Sequence, residues 1–443
     1  MKSRRWKNES MKNFYKYEKI SFLSSSRIKA VQEKLLHEHV MYCKNNSPFY
    51  QRLFKGHKIN PGKINLSNLC DISFTDKADI ENSNDEFMAV KIEKIVDVVL
   101  SSGTTGKPTK IAYTESDLRR LAYNEEKSFL NCGFTPRDTV LLTCTLDRCF
   151  VAGLAYFLGV RAVGATAIRN GLSSLESHAQ VIRSMRPTAI VGVPSFLRKL
   201  GGFLAENKSI PKTPVVSKLV CIGEPLRMAN LKLLKVGSDL EKIWGAKVYS
   251  TYSSSEIVTT FCECTAQSGG HLHSDLAIVE IVDDSGNVLG PGEIGEVVVT
   301  PLGIEGMPLI RFKTGDVSFI IDTPCKCGRN SIRLGPIVGR KKQMMKVKGT
   351  TIYPQAIYSA LEEIEGVREY YIAVTNESEL SDMVEVHLAL NNPGRAPEEI
   401  ENKLQSKLRI KPKVLIRDEK IIREQIYNPK FRKPIRFIDR RKP

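Results

Sequence analysis

Residues Leu100 to Thr109 read LSSGTTGKPT, two glycines and a lysine set among the hydroxyl side chains of Ser101, Ser102, Thr104, Thr105 and Thr109. The apolar run before this stretch is the first of a series. VVLSSG, TVLLTCT, ATAIRNG, AIVGVPS, KLVCIGEP and KVYSTYSSSE are all short apolar runs ended by Gly, Pro or Ser and separated by amphipathic stretches. Strands alternating with helices predict a parallel α/β architecture, whose ligands gather at the carboxyl ends of the strands. Each hydroxyl- and glycine-rich loop of the series follows such an end.

The spacing within LSSGTTGKPT excludes the GxxxxGK[ST] phosphate loop, because only two residues separate Gly103 from Gly106 and Pro108 stands where Ser or Thr is needed for magnesium. Pro108 also biases Lys107 toward extended geometry, so no helix starts there. Hydroxyls and permissive glycines nevertheless form a nest of O–H and N–H donors suited to mobile phosphate oxygens.

A chain of 443 residues exceeds one core of ordinary size. No run of about 18 apolar residues occurs, and the basic start MKSRRWKNESMKNFYKYEKI has no apolar segment of a secretory signal. The expectation is a cytoplasmic protein without a membrane segment, its ten cysteines being reduced thiols or metal ligands. The net charge of +17 raises nucleic acid as a partner. Its scattered distribution argues against this, the main concentration being the tail from Lys407, and an anionic small substrate uses the same charge.

Residues 1–96 read as mainly helical, with a break at Ser47-Pro48, and 97–260 as the α/β core. Residues 261–339 are strand-dense, with AIVEIVDDSGNVLGPGEIGEVVVTPL forming hairpins, and suit a β-rich subdomain. A boundary at Gly339 to Lys342 closes an N-terminal domain, 1–339, and opens a small α+β domain, 340–443.

LSSGTTGKPT followed by Tyr113-Thr114 resembles the phosphate-loop signature of adenylate-forming enzymes, in particular the phenylacetate:coenzyme A ligase-like branch. The likeness continues in order along the chain. Cys221-Ile222-Gly223-Glu224-Pro225 is similar to that branch's G-x-E-P segment, and Tyr252-Ser253-Ser254-Ser255-Glu256 to its Y-G-x-S-E, with Ser253 in place of glycine. Thr314-Gly315-Asp316, Gly339-Arg340, Gly349 to Tyr353-Pro354 and KFRKPIRFIDRR then follow.

The resemblance implies ATP-dependent activation of a carboxylic acid, aryl or aromatic-like, to acyl-AMP with release of pyrophosphate, then transfer to the thiol of coenzyme A. It assigns Thr104, Thr105, Gly106 and Lys107 to the β- and γ-phosphates, and places Ser101, Ser102 and Gly103 among the nucleotide contacts. Gly223, Glu224, Pro225, Tyr252 and Ser253 flank the adenine, Asp316 and Arg340 meet the rest of the nucleotide, and Glu256 holds Mg2+. Lys433, with Lys430 as its rival in the register of KFRKPIRFIDRR, bridges the attacking carboxylate and the α-phosphate, where negative charge develops. Lys342 is the hinge about which the mobile C-terminal domain rotates, and Lys348 and Gly349 line the thiol channel.

Cys262, Cys264, His271, His273, Cys325 and Cys327 offer thiol and imidazole donors suited to tetrahedral zinc. Some family members carry a similar set, and counting back from Glu280 selects Cys264, His271, Cys325 and Cys327 as a structural Zn2+ site. Arg148 and Arg169, in the segment matching the acyl pocket of relatives, suggest a polar or second anionic group on the substrate. Two other readings stay open: transfer to the phosphopantetheine thiol of an acyl carrier protein or to an amine, and a non-catalytic nucleotide- or nucleic-acid-binding relative. A homodimer is also open.

Overall fold

The computed structural model describes residues 15–101, 109–207, 216–378, 381–392, 394, 396–427 and 434–441. The first strand departs from the sequence expectation. β1 (Ile95–Leu100) does not enter the parallel sheet but pairs antiparallel with β2 (Lys110–Thr114), Leu100 facing Lys110. Only nine residues separate these strands, too few for the crossover that a parallel neighbour needs.

The parallel sheet is built from β3 (Thr139–Leu142), β4 (Thr166–Arg169), β5 (Ala189–Gly192), β6 (Lys218–Cys221) and β7 (Lys247–Ser254), in the order β4-β3-β5-β6-β7. Its central strands are apolar on both faces because helices cover both. Val140, Leu142, Val191 and Val220 pack with Phe129, Tyr156 and Val160 from the helices Glu115–Asn131 and Val151–Val163. The alternate residues Leu141, Ile190 and Leu219 meet Ile182, Leu197, Leu200 and Leu240 from the helices on the other side.

The sheet continues, antiparallel, through β8 (Thr259–Cys262) and β9 (Gly270–His271). β10 (Ala277–Val282) and β11 (Gly295–Pro301) form the expected hairpin, its turn closed by Asp283, whose carboxylate accepts from Asn287 N and Nδ2. β12 (Phe312–Ser318) follows, and β13 (Ile320–Ile321) and β14 (Arg333–Leu334) return to the large sheet beside β9. The strand-dense region is therefore divided between two sheets. The early helices Ser25–Asn46 and Pro48–Gly56 meet at Ser47-Pro48 as expected.

The buried arginines Arg311, Arg227 and Arg120 find hydrogen-bond partners. Arg311 holds Glu280 through two 3.0 Å bonds and donates to the carbonyls of Cys70 and Ile72. Arg227 grips Glu263, whose carboxylate also accepts from Ser250 N at 2.8 Å. Arg120 is fully buried among the carbonyls of Leu302, Val258 and Leu276 and the hydroxyl of Thr259.

Two units result: residues 1–314 with 318–337, and residues 315–317 with 338–443. In the second, β15 (Gly339–Arg340) pairs with residues 316–317. β16 (Met345–Val347) and β17 (Thr350–Ile352) form a hairpin across Lys348 and Gly349, both left-handed at φ 47° and 81°. Its main sheet consists of β18 (Val367–Ser378), β19 (Ser381–Leu390), β20 (Lys413–Ile416) and β21 (Phe437–Asp439), in the order β20-β19-β18-β21. The helices Pro354–Glu362 and Pro397–Leu408 cover one face, and Ile422 and Ile426 of the helix Glu419–Ile426 pack with Tyr371, Ala373 and Ala389 on the other.

Candidate active site and metal centre

The carboxyl ends of β5, β6 and β7 lie side by side and carry the segments that the sequence singled out. Ser195, just past β5, begins the helix Pro194–Glu206 and donates to Glu224 from both its amide and its hydroxyl, at 3.0 and 2.8 Å. Glu224 thus fixes the Ile222–Pro225 segment against a helix N-terminus, where partial positive charge favours a carboxylate. Gly223 sits beside it at φ 70°, a left-handed turn that Cβ-bearing residues rarely adopt. Thr251 joins the neighbouring strand end to Cys221 O at 3.3 Å.

Past β7, Ser253 Oγ donates to Thr259 O at 2.8 Å, and the Tyr252 ring lies 5.9 Å from that of Phe261. Glu256 occupies the turn before β8. The Tyr113 hydroxyl donates to Ser255 O at 2.8 Å, tying β2 to this turn. Burial first, and the nearby Glu256 carboxylate second, push the Tyr113 phenol far above its ordinary value, so it remains a donor. Ser101 N donates to Thr109 O at 2.9 Å, which closes the base of the β1–β2 connection, and Leu100 N donates to Cys149 O at 2.8 Å.

Ser101 is buried and its hydroxyl has no partner among the described residues; the same holds for the Ser254 hydroxyl. Two orphan hydroxyls bordering the expected phosphate and adenine contacts suit a polar ligand, since a buried polar atom without a partner is costly. Ser102, Gly103, Thr104, Thr105, Gly106, Lys107 and Lys433 lie outside the described residues.

In the second unit Asp316 and Arg340, expected as separate nucleotide contacts, are cross-strand neighbours whose Oδ1 and Nε stand 3.3 Å apart. Arg441 fastens the segment after Gly339. It donates to Lys342 O and Met344 O at 3.4 and 2.7 Å while pairing with Asp382 and Asp439. Lys348 N is held by Ser381 Oγ at 3.2 Å, and Gly349 leaves open space where a side chain would project. Of the basic residues in the C-terminal stretch, Lys403, Lys407, Lys411 and Lys413 pair with Glu399, Glu363, Glu401 and Glu385.

Cys264, His271, Cys325 and Cys327 converge, with their donor atoms all within 4.8 Å of one another. Cys264 Sγ lies 3.6 Å from Cys325 Sγ, and Cys327 Sγ lies 3.4 Å from His271 Nε2. A tetrahedron with Zn–S of about 2.3 Å and Zn–N of about 2.0 Å has S···S and S···N edges of roughly 3.8 and 3.5 Å, so the donor set fits the ion. Ser331 Oγ lies 3.1 Å from His271 Nδ1, and this contact orients the ring. Burial, reinforced by Arg329 and Arg333, pushes the His271 imidazole down to about 3, leaving it neutral. His273 lies apart, its Nε2 3.1 Å from Ser128 Oγ, and Cys262 faces Cys132 at 3.4 Å. The geometry selects the same four residues as the sequence did.

Sequence reasoning missed Ser195 as the anchor of Glu224, and it missed the burial of Glu125. The only signal for Ser195 was its place after an apolar run; nothing local marked Glu125.

An AMP-binding enzyme model matches residues 36–304, and an AMP-binding enzyme C-terminal domain model matches 349–441. The chain belongs to the AMP-binding enzyme family. It is 32% identical over 378 residues to a phenylacetate-coenzyme A ligase of Thermus thermophilus, covering 84% of this chain and 83% of the relative. The corresponding ligase of Escherichia coli is 27% identical over 382 residues, covering 85% of each chain. A solved structure of 2-hydroxyisobutyryl-CoA ligase in the postadenylation state superposes with a TM-score of 0.84 at 22% identity, covering 95% of this chain and 91% of that one, which shows a shared fold. No helix among the described residues is long and apolar enough to cross a membrane.

Proposed function

We propose that this protein is an AMP-forming acid:coenzyme A ligase of the phenylacetate-coenzyme A ligase-like kind. A carboxylate oxygen attacks the α-phosphorus of ATP, giving acyl-AMP and pyrophosphate; the thiol sulfur of coenzyme A then attacks the acyl carbon, giving the thioester and AMP. The supporting observation is the convergence of Glu224, Thr251 and the Tyr252–Glu256 turn on one sheet edge, with Tyr113 binding that turn to β2.

Two anions meet in the first step, so the site must supply positive charge and fix the direction of approach. Lys433 supplies a compact charge to the developing transition state. Residues 101–107 donate to the pyrophosphate leaving group. Glu256 would hold Mg2+, which when bound shields the phosphates as a Lewis acid. Glu224, held by Ser195, keeps Gly223 and Pro225 beside the adenine with Tyr252 and Ser253. Asp316 accepts from the ribose hydroxyls, with the Arg340 guanidinium beside it.

Thiol attack follows rotation of residues 340–443 about Lys342, with Lys348 and Gly349 lining the channel. Coenzyme A is the acceptor in this reading, which the likeness to phenylacetate-coenzyme A ligases supports. The four-ligand centre holds a structural Zn2+ and takes no part in the chemistry.

The test is acid-dependent ATP–pyrophosphate exchange over aryl and alkyl carboxylic acids, with coenzyme A added afterwards. Exchange with at least one acid and formation of its thioester are expected; exchange with none would remove the reading. Lys433→Ala should reduce exchange by about 10²-fold or more while sparing thiolysis of supplied acyl-AMP. Equal loss of both half-reactions would refute the assignment of Lys433 to the first.

A further inference from the structure

The helices Ser25–Asn46 and Pro48–Gly56 and the turn after them border an open surface cavity of about 520 Å³. Its exposed lining side chains are Lys44, Lys55 and Lys58 with the amides of Gln51 and Asn60, and its apolar floor is Phe54, Ile59 and Pro61. No carboxylate lines the cavity, and none of the three ammonium groups has an ion-pair partner among the described residues. Neighbouring cations differ: Lys34 pairs with Glu38, and Arg52 with Glu86. Sites for small organic molecules commonly measure about 300–1,000 Å³, so the cavity is large enough for one.

Helix chemistry accounts for two of the lysines and not for the third. Lys44 and Lys55 stand in the last turns of their helices, where the dipole favours a cation. Lys58 lies beyond them, in a Schellman turn: Ile59 N donates to Phe54 O at 3.0 Å, and Lys58 N donates to Lys55 O at 3.3 Å. Its backbone is left-handed at φ 54°, a position that glycine usually fills and where a Cβ is strained. A lysine held there at a conformational cost adds a third positive charge to the same cavity.

We infer that this cavity binds a nucleotide-sized organic phosphate, its phosphates against Lys44, Lys55 and Lys58 and its ring over Phe54, Ile59 and Pro61. Ammonium groups are compact charges suited to phosphate oxygens. The floor offers apolar area to a flat ring, which an inorganic anion leaves uncovered. Gln51 Nε2 donates to Asn45 O at 3.2 Å, and Asn60 Oδ1 accepts from Gly62 N at 3.0 Å. Gln51 Oε1 is thereby left to accept from a base edge, and Asn60 Nδ2 to donate to one. None of the lining residues is among the adenylation contacts, so this second site stands or falls independently of the adenylation reading.

The experiment is equilibrium dialysis of ADP against wild type, against Lys44→Gln, Lys55→Gln and Lys58→Gln combined, and against Lys58→Gly, which relieves the left-handed strain and so keeps the fold. ADP held at the sheet edge adds equally to all three, and the difference between them reports the cavity. The triple variant should lose about 10-fold or more in affinity for the lysine-dependent site, and Lys58→Gly about threefold. Pyrophosphate should bind that site about 10-fold more weakly than ADP, since it leaves the floor uncovered. Identical ADP curves for wild type and the triple variant overturn the inference, and equal affinity for pyrophosphate and ADP overturns the assignment of the ring to the floor. Lysine-dependent binding to phosphatidylserine vesicles without lysine-dependent binding of ADP also overturns it. Pyrophosphate exchange by the triple variant should match wild type, and its selective loss would place the cavity within the catalytic site and refute a second one. Absence of exchange in wild type as well counts against the adenylation reading and leaves the ADP comparison decisive.

Discussion

Chelation of the zinc proposed for the Cys264–His271–Cys325–Cys327 cluster should release the N-terminal segment, because the loop that carries Cys325 and Cys327 also clasps that segment. Asn330 N donates to Ser21 O at 2.6 Å, Asn330 Nδ2 donates to Leu23 O at 3.0 Å, and the Arg329 guanidinium lies 4.9 Å from the Phe22 ring. Ser331, the next residue, contacts His271 directly. Two hydrogen bonds and one cation–π contact amount to about 2–3 kcal/mol. Their loss raises the open population of this segment by about 30- to 160-fold, and cleavage follows that population when reclosing outpaces the protease. The assay is limited proteolysis before and after chelation, with zinc counted colorimetrically and cuts mapped by mass. Trypsin should cut faster at Lys19 and Arg27, while the helix Lys235–Trp244 remains resistant. Zinc leaving at one equivalent with an unchanged cleavage rate would refute the coupling. Soluble folded protein without metal would refute the centre itself.

Two further outcomes concern buried charge. Arg311→Met strands the Glu280 carboxylate and should cost about 3–5 kcal/mol in chemical denaturation, with most of it recovered when Glu280→Leu is added; a single variant within 1 kcal/mol of wild type, on the order of a surface change, would contradict the buried-pair account. His39 is held neutral: burial, despite the hydrogen bond with Leu309 O, lowers its imidazole to about 4. Below about pH 6.5 the unfolded chain takes up this proton and the folded one does not, so stability falls as pH falls, by about 3 kcal/mol down to pH 4. His39→Gln should lessen that slope by about 1.4 kcal/mol per unit within the window, and an unaltered slope in urea titrations would exclude His39 as its source.

The parallel strands were legible in the sequence because a strand covered on both faces must be apolar at successive positions, as LLT, AIVG and KLVC are. β1 misled because it has nearly the same composition, yet Val96, Val98 and Leu100 alternate outward at 53%, 40% and 40% exposure. Partner choice was set by the nine-residue return to Lys110, a feature of chain length that hydrophobicity does not encode. Donor chemistry offered six candidate metal ligands, and the likeness to family members narrowed them to the Cys264, His271, Cys325 and Cys327 cluster. His273 and Cys262 have the same chemistry, and the register of β8, β9 and β14 directs them elsewhere. The Ser195–Glu224 and Asp316–Arg340 pairs were hidden for another reason. Each joins residues whose identities were noted or ordinary, and only strand adjacency makes them partners. Glu125 illustrates the limit most sharply. A glutamate in a helix reads as solvent-facing, and its burial follows from Gly159, 34 positions away, which allows the second helix to close over it. Motifs report residues that meet the nucleotide common to the family. Long-range packing of this kind leaves no local motif, which is why candidate nucleotide contacts could be named from the sequence while the burial of Glu125 required the fold.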